Sequence, residues 1–72
     1  MMPLTLMQVG DRATVARLGG SEDTRRYLMN LGFVAQAPLE LVNRLGGNVI
    51  VNIKDSRIAL NADMARHIMV DY

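Results

Sequence analysis

The run Leu39-Glu40-Leu41-Val42-Asn43-Arg44-Leu45-Gly46-Gly47-Asn48-Val49-Ile50-Val51-Asn52-Ile53-Lys54-Asp55-Ser56-Arg57-Ile58-Ala59-Leu60 decides the fold. Leu39, Leu41, Asn43 and Leu45 alternate with Glu40, Val42 and Arg44, a strand pattern with one polar exception on its inner face. Gly46-Gly47 predicts a tight turn, because glycine takes positive φ without steric cost. Asn48 to Ile53 reads as the next strand, with Val49, Val51 and Ile53 on one face and Ile50 and Asn52 on the other. Lys54-Asp55-Ser56 predicts a second turn, and Arg57 to Leu60 a third strand with Ile58 and Leu60 inward. These segments form a meander of hairpins.

Upstream, Val34 to Pro38 is a connection, and before it lies the clearest helix. Ser21 is suited to the N-cap, since its hydroxyl accepts from free amides of the first turn. Glu22 and Asp23 come next, where the positive end of the helix dipole favours carboxylates. Thr24, Leu28 and Leu31 fall on one face with Tyr27 beside them, while Arg25, Arg26 and Asn30 lie toward the other. Gly32 suits the left-handed position that closes a helix, and Phe33 can pack back onto the last turn. The spacing predicts a helix from Glu22 to Leu31. Further upstream, Gly10-Asp11 signals a turn, Ala13 to Leu18 a strand, and Gly19-Gly20 its end. Downstream, Asn61 caps one helical turn through Ala65, and His67 to Val70 returns as a last strand. The expected fold is mainly β: five short antiparallel strands in a small closed or nearly closed barrel, with one inserted α-helix and a helical turn before the last strand. Closure removes sheet edges that invite aggregation.

A chain of 72 residues is one domain, residues 1–72. The sequence holds no cysteine, which agrees with a reducing compartment and removes thiolate chemistry and zinc ribbons. No apolar run reaches the ~20 residues of a transmembrane helix, and Met1-Met2-Pro3-Leu4-Thr5 does not open like a signal peptide. The expectation is a cytoplasmic protein without direct membrane insertion. Eight basic residues face seven acidic ones, with four basic and three acidic in the first 36 residues and four of each in the rest. Nothing there builds the cationic footprint of a nucleic-acid binder.

Catalysis finds no machinery in the sequence. His67 is the one histidine, and a general base needs an oriented partner and a pocket. Gly19-Gly20-Ser21 precedes a helix but lacks the lysine and spacing of a phosphate loop. Glu22 and Asp23 are adjacent, so their carboxylates point apart. Six methionines show no ligand spacing. Three aromatic residues, Tyr27, Phe33 and Tyr72, are too few to line a proline-peptide groove or a base-stacking platform. We therefore expect no catalytic residue, no cofactor and no metal site, but protein–protein contact, with Arg25, Arg26 and Met29 as the candidate partner-binding patch on the helix. Oligomeric state is not encoded in these patterns.

Certain residues carry a resemblance. They are Leu6-x-x-Val9-Gly10-Asp11, Val15-x-x-Leu18, Arg25-Arg26-x-Leu28-x-x-Leu31-Gly32-Phe33, Leu39-x-Leu41-Val42, Gly46 to Val51, Asp55 to Leu60 and Ala65-x-x-Ile68-Met69-Val70. In this order they resemble the FeoA family, small accessory proteins of bacterial ferrous-iron uptake. The resemblance runs from about Leu4 to Asp71. It implies an SH3-like barrel with an inserted helix, and a non-enzymatic role as cytosolic partner of the membrane transporter FeoB, which carries a GTP-hydrolysing domain. One residue departs: the family usually has glycine near Gln36, where a glutamine takes positive φ only at a cost. The barrel is also similar to the C-terminal domain of iron-dependent repressors, which add a helix-turn-helix and a metal-binding dimer domain; a free-standing adapter is the expectation here. A second reading makes the chain a weak divalent-metal sensor acting through Glu22, Asp23 or His67.

Overall fold

A computed structural model describes residues 1–72. Strands β1 (Met2–Pro3), β2 (Arg12–Leu18), β3 (Pro38–Leu45), β4 (Asn48–Ile53), β5 (Ser56–Leu60) and β6 (Ile68–Asp71) form one antiparallel sheet in the order β1-β6-β2-β3-β4-β5. Helix α1 spans Glu22–Asn30 and α2 spans Ala62–Ala65. The sheet has six strands rather than five, because Met2 and Pro3 pair with Val70 and Met69. A two-residue strand has no period to read, so the sequence could not announce it. A single 3₁₀ turn, Leu4–Leu6, then drops Leu4 into the core.

The sheet curls around Leu4, Met7, Val15, Leu28, Phe33, Leu41, Val49, Val51, Ile53, Ile68 and Val70, all of them essentially solvent-free. Every buried side chain is apolar. Strands β4 and β5 form as their pattern predicts, with Val49, Val51 and Ile53 inward and Ile58 half-buried across from Val51. Leu45 and Asn48 flank the Gly46-Gly47 turn, where only Gly46 carries positive φ, as in a type II′ turn. Ile53 pairs with Ser56, so the second turn is Lys54-Asp55 alone, both residues with positive φ.

One strand departs from its expected alternation. Leu39 and Leu41 point inward opposite Ile53 and Val51, but the register slips between Leu41 and Asn43. The bulge at Val42 reverses the facing of the residues after it. Asn43 therefore points outward, Leu45 is 59% exposed, and Arg44 takes the inner side across from Val49. Arg44 Nη2 donates to the Thr5 carbonyl (2.6 Å) and to the Met7 carbonyl, fastening the N-terminal turn to β3.

Helix α1 begins and ends on its signals. Ser21 Oγ accepts from the Thr24 amide at 3.1 Å. Gly32 has φ +110°, its N–H donates to the Met29 carbonyl, and the Phe33 N–H reaches back to Leu28, which makes a Schellman close. Leu28 alone is fully buried from the helix; Tyr27, expected on the packed face, is 51% exposed. The helix thus lies on the barrel by a narrow stripe and leaves one flank open. Asn61 caps α2 through the Met64 amide, and His67 sits in the turn before β6 rather than inside the strand.

Candidate functional site

The open flank of α1 faces β2, and between them runs a groove of about 300 Å³. Val15 and Leu18 from β2, Met29 from the helix, and Phe33 and Val34 from the chain after it supply apolar walls; Arg17 and Arg25 supply the only charges. Each wall has a local cause. Leu28 anchors the helix, so its neighbour Met29 is left 52% exposed at the groove. The Schellman close turns the chain back, burying Phe33 at the floor. A second bulge, where the β2–β6 register shifts between Val15 and Arg17, brings Arg17 to the groove's margin.

Of the three residues expected to form a patch, Arg25 and Met29 meet in this groove and Arg26 does not. Arg25 Nη1 donates to the Gly20 carbonyl at 2.7 Å, which holds its guanidinium at the helix entrance. Arg26 turns to Glu22 (3.3 Å) and Asp23 (3.4 Å) in exposed ion pairs that contribute little to folding. Arg17, Leu18 and Val34 carry no signal of this role in the sequence. Their membership depends on the bulge and on where the chain turns after the helix.

A larger groove, about 420 Å³, lies across the sheet among Arg12, Glu40, Asn52, Lys54 and Asp55. Charges of both signs line it. The smaller groove, with one sign of charge on apolar walls, is the better candidate for recognition.

The residues of the metal reading stay apart in function. Glu22 and Asp23 face Arg26, and the His67 ring lies against Gly20, 3.2 Å from where a side chain there would begin. No three histidine, aspartate or glutamate side chains come together in a way that could hold a metal ion. At the C-terminus, Tyr72 Oη donates to Asp11 Oδ2 at 2.9 Å, and this bond raises the phenol above its ordinary 10.0, aided by desolvation and by the Asp11 charge. No helix is long and apolar enough to cross a membrane.

The rolled antiparallel sheet with a helix inserted between β2 and β3 defines a class: a small SH3-like barrel. The model of the FeoA domain matches residues 2–72, and the chain belongs to that family. The family serves ferrous iron transport, and its members are accessory SH3-like domain proteins, not enzymes. Among solved structures, the FeoA protein from Chlorobium tepidum is 32% identical, with TM-score 0.87 over 97% of this chain and 69% of that one. The zinc-complexed FeoA of Stenotrophomonas maltophilia is 26% identical, with TM-score 0.85 over 99% and 91%. A manganese-dependent transcriptional repressor is 26% identical with TM-score 0.88, and the match covers 96% of this chain but 40% of the repressor. No curated protein matches the chain.

Proposed function

We propose that this protein is a cytosolic accessory protein of ferrous-iron uptake that docks on the cytosolic part of the FeoB transporter through the α1–β2 groove. The observation that carries the reading is the pairing of Arg25 with Met29 on apolar walls that hold no acidic residue. An exposed apolar groove with one sign of charge is what a protein partner recognises. Membership of the FeoA family supplies the pathway. The test is an NMR titration of the protein with the FeoB cytosolic domain and with full-length transporter, with and without guanine nucleotide. Shifts confined to groove residues are expected; no interaction under any of these conditions defeats the reading.

The metal-sensor reading has one observation in its favour, the zinc bound to a similar FeoA protein. Anaerobic calorimetry with Fe²⁺ separates the two. Binding tighter than micromolar favours a sensor, and it should then weaken on His67→Ala.

A further inference from the structure

The groove has a backbone wall as well as side-chain walls. On the β3 side, β2 is paired from Arg12 to Thr14, and Val15 makes the last bonds there: its N–H donates to the Ala37 carbonyl (2.9 Å) and its carbonyl accepts from the Gln36 N–H (2.8 Å). Beyond Val15 the chain leading into β3 swings away toward the helix, and β2 keeps partners only in β6, Arg17 with Met69 and Leu18 with Ile68. The Gly19 N–H donates to the His67 carbonyl at 2.7 Å. Alternate residues of a strand send their backbone groups to opposite sides. Arg17 and Gly19 therefore address β6, and the N–H and carbonyl of Leu18 turn the other way, into the groove.

The geometry points to β-strand addition: an extended partner segment lies between α1 and the free edge of β2 and bonds to the Leu18 backbone. The inference rests on the docking reading above and specifies its mode. The occupant is an apolar segment with at least one acidic side chain. Charge complementarity decides this, since Arg17 and Arg25 are the groove's only charged groups and both are cationic. Strand addition obtains affinity from main-chain bonds and specificity from pockets for alternate side chains. Here Leu18, Met29 and Val34 offer the accessible apolar pocket. About three residues at ~3.3 Å each match the free edge from Ala16 to Leu18.

Amide hydrogen exchange at Leu18, resolved by NMR, tests the inference in two stages. In the isolated protein the Leu18 amide should exchange much faster than those of its paired neighbours Arg17 and Gly19. Protection of Leu18 equal to theirs shows that the edge is occupied within the fold and overturns the inference, whatever the transporter does. On saturation with the transporter's cytosolic domain, or with full-length transporter, Leu18 exchange should slow by at least about tenfold. Ala59, on the distant edge strand β5, should not change. Saturable binding with Leu18 exchange unaltered overturns strand addition and leaves the docking reading standing. Absence of binding overturns both. Arg17→Glu with Arg25→Glu should weaken binding about tenfold or more while the Leu18 amide of the free protein stays unprotected; undiminished affinity rejects the acidic occupant.

Discussion

Gln36 stands at φ 72° in the turn Val34–Ala37, closed by the Ala37 N–H on the Val34 carbonyl. That is the third position of a type II turn, where glycine is the usual residue. The turn is retained with glutamine because its neighbours hold it: the Gln36 amide donates to Val15 and the Ala37 carbonyl accepts from Val15. The left-handed conformation costs an ordinary residue about 1–2 kcal/mol, partly offset by glycine's greater freedom in the unfolded chain. Gln36→Gly should therefore stabilise by about 0.5–1 kcal/mol, seen as a rise of several degrees in Tm on thermal unfolding. Tyr72 makes a second residue-level prediction. Its folded phenol is raised, so its contribution is fully present below the unfolded value near 10.0 and is lost as pH rises through the folded one. In a Tyr27→Phe background, ultraviolet titration should place Tyr72 above 10.0, and Asp11→Asn should lower it.

At the level of elements, two hairpins of the meander use different solutions to one problem. Gly46 meets the positive φ of its turn without strain, but Lys54 and Asp55 both meet it with a side chain, at φ 51° and 62°. Both residues positive is the pattern of a type I′ turn, for which Asn-Gly is the favoured sequence. Replacing Lys54-Asp55 with Asn-Gly should stabilise by about 1 kcal/mol in chemical denaturation, with the m-value unchanged. The bulge in β3 has its own consequence. By placing Arg44 inward it supplies the donor for two carbonyls of the N-terminal turn. Arg44→Met should cost on the order of 1–2 kcal/mol, since methionine keeps the length of the stem but donates nothing. Unaltered stability would show that water serves those carbonyls equally well.

On the scale of the whole molecule, the two arginines of α1 do different work. Arg25 stands at the groove and Arg26 is neutralised by Glu22 and Asp23. Arg25→Glu should weaken transporter binding about tenfold, whereas Arg26→Glu should change it less than about twofold; calorimetry on the two variants decides. Both should leave folding stability within about 1 kcal/mol, because the charges are exposed. Equal effects on binding would place the contact on the outer face of the helix instead of in the groove.

Much of this architecture is written locally. Ser21, Gly32, Phe33, Gly46 and Asn61 act through bonds or dihedral angles a few residues away, and the alternation from Asn48 to Ile53 needs only the pleat of a strand. The chain alone therefore places α1, the meander and α2, while of the expected patch Arg25, Arg26 and Met29 only Arg25 and Met29 share the groove. The rest depends on distant partners. Val42 is a bulge because β4 and the N-terminal turn take Arg44 on the inner side, and that reverses Asn43 and Leu45. Met2 and Pro3 become a strand only because β6 passes beside them. The groove exists because the chain entering β3 leaves β2 after Val15 while Leu28 is the one fully buried residue of the helix. Hydrogen-bond register between segments far apart in sequence is settled by packing the shared core, so only the tertiary structure could decide which faces and edges stay open.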